Sequence, residues 1–149
     1  MKLSYSLITV IINKAKVGQI LSDTIINSCT NIYSVKARGS LIREEWYQKL
    51  LPNMHPELEI LQLITPHKNT SFVMDSIIQK GEFKRYGSGA IFCQTCDDIY
   101  FSSDVQDPQI ALNESPSNLS LKKDLVGIFC IVQKDKADPI VRHIIEQGE

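Results

Sequence analysis

The sequence predicts an α+β fold, a four-stranded antiparallel sheet with two helices on one face. Apolar β-branched segments alternate with segments of helical periodicity over residues 1–103, in the order strand, helix, strand, long loop, strand, helix, strand. The chain of 149 residues is 43% hydrophobic and 22% charged, which is typical of a globular domain that buries a core. This βαββαβ order is the ferredoxin-like arrangement.

The first half of the domain supplies two strands and a helix. Residues 7–12 form a β-branched run that predicts a strand buried on both faces. Residues 16–29 carry apolar side chains at helical spacing, which predicts one amphipathic helix. A second strand is expected at residues 32–37. Two prolines then favour an extended loop over residues 41–56.

The second half repeats the pattern. Residues 57–65 are predicted to be a strand, and residues 69–80 a helix with Gly81 at its C-cap. Two further strand segments are expected at residues 90–94 and 99–102, separated by a pair of aspartates. Strands this apolar leave one sheet face to be covered, and oligomerisation would cover it.

The C-terminal part of the chain differs in composition. Residues 104–122 are rich in serine and proline and are predicted to be a linker. Residues 123–149 then resemble residues 3–29 at an offset of 120, as a partial second repeat of one strand and one helix. We expect the strand at residues 126–132 to add to an existing sheet edge. Chance similarity between two strand–helix pieces is the alternative.

Charge and hydropathy exclude several classes of function. A net charge of −1 gives no basic field for binding nucleic acid. No apolar run approaches the roughly 20 residues that a membrane helix needs, and no signal-peptide pattern is present. We therefore expect a cytoplasmic protein without membrane insertion.

The cysteines and histidines do not form an obvious metal site. Cys93 and Cys96 have CxxC spacing, but they lie in a predicted strand, where buried cysteine is the ordinary interpretation. A zinc site would need two more ligands at matching spacing. The three histidines, His55, His67 and His143, are scattered over loop, loop and helix.

Three segments resemble the PII family of nitrogen-regulatory signalling proteins. The first is the strand and helix over residues 7–29. The second is VKARG at residues 35–39, which is similar to the Arg-Gly at the base of the family's long T-loop. The third is GSGAIF at residues 87–92, which resembles the family's Gly-Asp-Gly-Lys-Ile-Phe after its B-loop. The resemblance covers about residues 3–103.

The resemblance implies a homotrimeric regulator that is not an enzyme. It would sense a small effector, such as ATP, ADP or AMP, in clefts between subunits. It would regulate an enzyme or transporter, in nitrogen or carbon metabolism. The candidate effector-site residues in the matching segments are Arg38, Gly39, Gly87 and Gly89, and Lys84 and Arg85 are further candidates because they could supply positive charge from a slightly different place.

The loop at residues 40–56 corresponds to the segment that docks on the regulated protein. Arg43, Trp46 and Tyr47 are its candidate partner-binding residues, since aromatic side chains beside arginine are common in interface hot spots. The alternative is that the aromatic residues pack the loop onto the body of the domain.

Two departures from the family pattern bear on nucleotide binding. Ala90 stands where the family has a phosphate-contacting lysine, and the arginines expected after the last strand are missing from residues 99–103. A plain turn is therefore an alternative interpretation of residues 87–89. A different family with the same architecture, the CutA-like trimeric metal-binding proteins, is the alternative for the whole chain, and would use the cysteines and histidines.

Overall fold

The protein is described by a computed structural model, which covers residues 4–38, 57–85, 87–96, 99, 128, 131–133 and 136–147. The chain divides into two compact units, Met1–Leu119 and Ser120–Glu149, which are described separately. Within the described ranges, no helix combines the length and apolar character that crossing a membrane requires.

The described residues of the first unit form four strands and three helices. The strands are β1 (Tyr5–Asn13), β2 (Asn31–Arg38), β3 (Glu57–Pro66) and β4 (Gly89–Cys96). The helices are α1 (Val17–Ile20), α2 (Asp23–Ser28) and α3 (Thr70–Lys80), and 3-10 turns at Lys14–Lys16 and His67–Asn69 precede α1 and α3. The strands predicted at residues 7–12, 32–37, 57–65 and 90–94 and the second helix are confirmed, with bounds that differ by one or two residues at most ends.

The four strands form one antiparallel sheet in the order β2-β3-β1-β4. Ile8 of β1 lies opposite Leu63 of β3 and Cys93 of β4, which fixes the register on both sides of the central strand. This order and this pairing confirm the predicted ferredoxin-like α+β fold.

The core lies between the sheet and the helices. Alternate residues of β1 and β3 point into it, as expected for side chains of period two. Its fully buried members include Ile8, Val10, Ile12, Leu61 and Leu63 from the sheet, and Ile20, Ile25, Val73 and Ile77 from the helices. Cys29 lies in the same core, and burial raises the pKa of its thiol to about 12.

The prediction of one continuous helix over residues 16–29 was wrong. Helix α1 stops at Ile20, and Ser22 takes an extended conformation as the N-cap of α2. Serine favours caps over helix interiors, and the Ser22 hydroxyl accepts a hydrogen bond from the Lys80 ammonium of α3. The break keeps both Ile20 and Ile25 fully buried, whereas Thr24, predicted on the apolar face, is exposed.

The end of α3 is a Schellman motif, with Gly81 at the C-cap as predicted. Gly81 is the C-cap but has right-handed dihedral angles, and Glu82 adopts the left-handed conformation with φ 54°. The amide of Phe83 donates to the Ile78 carbonyl, and the amide of Glu82 donates to the Gln79 carbonyl. Glycine suits position 81 because of space rather than backbone conformation: a Cβ there would collide with the ring of Phe83 unless the ring moved.

The sheet face opposite the helices is rich in apolar side chains. Its rows follow from the strand register, with Leu7 beside Ile64, Thr9 beside Phe92, and Ile11 beside Ile60 and Ala90. On β2, Tyr33 and Val35 occupy this face and are 52% and 57% exposed. We call this surface the open sheet face.

The second unit contains helix α4 (Ala137–Gln147), where the sequence predicted a helix. Val141, His143 and Ile144 of this helix are exposed. Within the strand predicted at residues 126–132, the described residues Ile128, Ile131 and Val132 have no strand conformation and are exposed.

Several predictions fall on residues outside the described ranges. These are the loop at residues 40–56 with Gly39, Arg43, Trp46, Tyr47 and His55, the aspartates at 97–98, the strand segment at 99–102 apart from Ile99, and the linker at 104–122. The domain boundaries and the origin of residues 123–149 as a repeat stay predictions.

Candidate functional site

Four chain segments meet at one end of the sheet. Strand β1 ends there at Asn13 and β2 ends at Arg38, while β3 begins at Glu57 and β4 begins at Gly89. The register places Arg38 opposite Glu57 and Ile12 opposite Gly89. Antiparallel pairing therefore brings the turns at Lys14–Lys16 and residues 81–88 to the same end as the predicted effector residues. We call this region the loop end of the sheet.

Two ion pairs tie these segments together. The Lys14 ammonium donates to the Glu57 carboxylate at 3.2 Å, which joins the turn after β1 to the start of β3. The Lys16 ammonium donates to the Glu82 carboxylate at 3.0 Å, which joins the same turn to the segment after α3. Both pairs reach solvent, so they orient charges more than they stabilise the fold.

Glu82 interacts with two cations in the turn that precedes β4. Its Oε2 accepts from Lys16 Nζ and also from Arg85 Nη1, the latter at 3.3 Å. The hydrogen bond from Lys16, with the charges of Arg85 and Lys16, lowers the pKa of Glu82. The carboxylate is therefore ionised at neutral pH.

Glycine is required where this turn enters β4. Gly87 and Gly89 have φ of 76° and 131°, conformations that other residues rarely adopt. A Cβ at Gly89 would also collide with the carbonyl oxygen of Ile11 in β1. The two glycines thus let the chain pass close to β1 before β4 begins.

The structure places five of the six predicted effector residues, Arg38, Lys84, Arg85, Gly87 and Gly89, at the loop end, and their three cationic side chains are exposed. Arg38 ends β2 at one edge of the sheet, whereas the glycine turn enters β4 at the opposite edge, so these residues do not form one cluster within the single chain. Gly39 follows Arg38 but lies outside the described residues. The role of each residue in binding stays a prediction.

Four charged residues at the loop end, Lys14, Lys16, Glu57 and Glu82, were not predicted as site residues from the sequence. Only Lys16 and Glu82 lie in the segments beside the glycine turn, whereas Lys14 and Glu57 pair with each other at the start of β3. The fold topology could have identified these residues, because the end of the first strand lies beside the start of the fourth. Polar residues in the turn after β1 therefore face the turn before β4.

Ala90 lies on the other side of the sheet from this charge cluster. It is paired with Ile11, so its side chain belongs to the open sheet face. The position of Ala90 therefore supplies no cation, and the described cations in and beside the turn are Lys16, Lys84 and Arg85.

The CxxC pair does not form a common site. Both cysteines lie in β4, where residues three apart point to opposite faces of the sheet. Cys93 lies opposite Ile8 on the helix side, and Cys96 lies opposite Tyr5 on the open side. Burial raises the pKa of the Cys93 thiol, although a hydrogen bond with Ser6 lowers it in part. The two cysteines therefore cannot bind one metal ion together, and they do not support the CutA-like metal-binding alternative.

His67 and its surroundings lie at the far end of the sheet. Its Nδ1 is 3.0 Å from the hydroxyl of Ser6, which is fully buried. Across the described residues, no three His, Cys, Asp or Glu side chains are grouped so that they could hold a metal ion.

Comparison with known proteins identifies the fold. No protein-family model matches the sequence, and no curated protein matches it significantly. Among solved structures, a Bacillus subtilis GlnK–ATP complex matches with a TM-score of 0.51 and 10% identity, over 64% of this chain and 84% of that chain.

Two other solved structures are similar at lower TM-scores. Arabidopsis thaliana PII bound to citrate matches at 0.46 with 13% identity, over 61% of this chain and 76% of that chain. A Bacillus cereus protein related to NIF3 matches at 0.49 with 10% identity, over 64% of this chain but only 26% of that chain. Together with the strand order and the helices on one sheet face, the GlnK match shows that this chain has a PII-like fold.

Proposed function

We propose that this protein is a PII-type regulator that binds a phosphate-bearing effector at the loop end of the sheet. The observation that carries the proposal is that Lys16 and Arg85 meet at Glu82, in the segment that leads into the glycine turn and β4, with Arg38 at the same end of the sheet on the opposite edge strand. Arginine and lysine side chains, with glycine turns that allow close approach of the backbone, are the groups that proteins use to bind phosphate.

An adenine nucleotide is the effector that we propose to test first. The GlnK neighbour is an ATP complex, which makes nucleotides the natural probes for a chain of this fold. The same residues would also serve a smaller anionic effector, because most of the described side chains at the loop end are charged, and the cations outnumber the carboxylates. Gly39 and Lys84 complete the proposed binding set.

We propose that the functional unit is a homotrimer with its open sheet faces turned inward. The open sheet face carries exposed Tyr33 and Val35 beside the apolar rows of β1, β3 and β4. Thr9, Gln62 and Gln94 interrupt these rows, but a surface with this many apolar side chains is one that proteins commonly bury in an interface. The effector site would then lie between neighbouring subunits, and the loop with Arg43, Trp46 and Tyr47 would contact the regulated enzyme or transporter.

Calorimetric titration of the full chain with ATP, ADP, AMP and cyclic nucleotides tests the effector proposal. We expect saturable binding of at least one nucleotide, and we expect Arg38→Ala and Arg85→Ala to weaken it. Lys68→Ala is the matched control, since it removes an exposed cation at the far end of the sheet.

Two results would contradict the proposal. The first is that none of the nucleotides binds the folded protein. The second is that Lys68→Ala weakens binding as much as the two arginine substitutions, because the effect would then reflect overall charge rather than a site at the loop end.

A further inference from the structure

Lys16 and Arg85 converge on a single oxygen atom. Oε2 of Glu82 lies 3.0 Å from the Lys16 ammonium and 3.3 Å from the Arg85 guanidinium. The two cations come from segments that are far apart in the sequence, the turn after β1 and the turn before β4. A position within hydrogen-bond distance of two such cations is suited to an oxygen of a phosphate or a carboxylate.

The backbone at Glu82 makes this arrangement unusual. Glu82 is the left-handed residue of the Schellman motif that ends α3, with φ 54°. Glycine is the common residue at that position, because other residues adopt the left-handed conformation at a cost. Glu82 therefore places a carboxylate beside Lys16 from a backbone position that glycine usually occupies.

Lys16 does not depend on Glu82 for its position. Its ammonium also donates to the Gly81 carbonyl at 3.2 Å, and its side chain is only 27% exposed. A lysine at the carboxyl end of a helix is stabilised there by the helix dipole as well. If the carboxylate moved away, the ammonium would remain at the end of α3.

Arg85 is positioned by the same turn. Its amide donates to the Glu82 carbonyl at 3.0 Å, and its own carbonyl accepts from the Ser88 amide at 3.2 Å. Its side chain is 77% exposed, so the guanidinium is free to contact a ligand in solution once it separates from Glu82.

We propose that Lys16 and Arg85 form an oxyanion subsite that the Glu82 carboxylate occupies until a polyphosphate displaces it. The proposal deepens the function proposed above and relies on it only for the choice of polyphosphate as ligand. Glu82 then acts as an internal competitor. A multiply charged anion displaces it more readily than a singly charged one, because the attraction to the two cations grows with charge.

Titration with inorganic tripolyphosphate tests the proposal without requiring a nucleotide. Glu82→Gln keeps the size of the side chain and removes its charge, and Glu82→Gly gives the left-handed position its preferred residue. Both variants should bind tripolyphosphate about threefold tighter than the wild type or better, because two exposed ion pairs no longer compete. Lys16→Gln, made in the Glu82→Gln background, should remove that gain.

Glu57→Gln is the control, since it makes the same change in net charge at the same end of the sheet. Glu57 pairs only with Lys14 among the described ion pairs, so this variant should leave the affinity for tripolyphosphate within about twofold of the wild type. An equal gain in Glu57→Gln and Glu82→Gln would overturn the proposal, because general electrostatics would explain both.

The remaining outcomes separate this proposal from the nucleotide proposal. If tripolyphosphate binds no tighter to either Glu82 variant, or binds to none of the proteins, the subsite is wrong even where ATP binds the wild type. If the Glu82 variants gain affinity for tripolyphosphate while no nucleotide binds, the subsite stands and the nucleotide proposal fails.

Discussion

Gly89 carries two structural requirements that only glycine satisfies. Its φ of 131° is outside the range of ordinary side-chain-bearing residues, and its α-carbon faces the carbonyl oxygen of Ile11. The sequence predicted a turn at this glycine on general grounds. The close approach to β1 depends on the pairing of β1 with β4, which a local sequence pattern does not specify.

Gly89→Ala should lower the free energy of unfolding by about 2 kcal/mol or more, since it combines backbone strain with a steric clash against β1. Urea denaturation followed by circular dichroism measures the change. Gly18→Ala is the control, because a Cβ at Gly18 in α1 meets nothing within 4 Å. That variant should be neutral or slightly stabilised. A Gly89→Ala protein as stable as Gly18→Ala would contradict the described path of the chain into β4.

The charged residues of the loop end were only partly predictable from the sequence. Arg38 and the glycine turn were predicted because their segments resemble family motifs, and Arg85 was predicted because it could supply charge near that turn. Lys16 and Glu82 had no such motif, and their pairing joins residues 66 positions apart. A contact of that kind becomes visible only when the fold brings the turn after β1 against the turn before β4.

At the scale of elements, strands were easier to predict than the first helix. The β-branched run of β1 specifies a strand by composition, and apolar residues bounded by two prolines indicate a strand at β3. The helical periodicity over residues 16–29 correctly indicated helical structure, but it did not indicate that the helix is interrupted at Ser22. The interruption depends on tertiary contacts, since Ser22 bonds to Lys80 and both flanking isoleucines reach the core.

Strand β4 makes a specific prediction about its two cysteines. Residues three apart in a strand are separated by about 10 Å, and disulfides need α-carbons within about 7 Å. Cys93 and Cys96 should therefore not form a disulfide with each other while β4 is intact. Treatment of the folded chain with diamide, followed by peptide mass spectrometry, should find no bond between them.

The same treatment in urea provides the control, because an unfolded chain brings cysteines at this spacing together easily. The bond should form there within the same reaction time. Rapid formation of a Cys93–Cys96 bond in the folded protein would mean that the end of β4 opens or is not a strand.

At the scale of the whole molecule, the described helices of the first unit cover one face of the sheet, and none of them covers the other. The helix side contains the core, with Ile8, Val10 and Leu61 fully buried. The open sheet face carries Val35 and Tyr33, both more than half exposed in the single chain. The sequence predicted this imbalance, because both helices of the βαββαβ order pack on the same side.

Val35→Asp should dissociate the proposed trimer without unfolding the domain. The substitution places a charge on the open sheet face, where it costs little in a monomer because Val35 is 57% exposed, but would be buried in an assembly. Light scattering should give about three times 16.8 kDa for the wild type and about 16.8 kDa for the variant.

Ser71→Asp adds the same charge at the exposed start of α3 and should keep the wild-type mass. A wild type that is monomeric, or a Val35→Asp variant that stays trimeric with native circular dichroism, would show that the open sheet face is not the subunit interface.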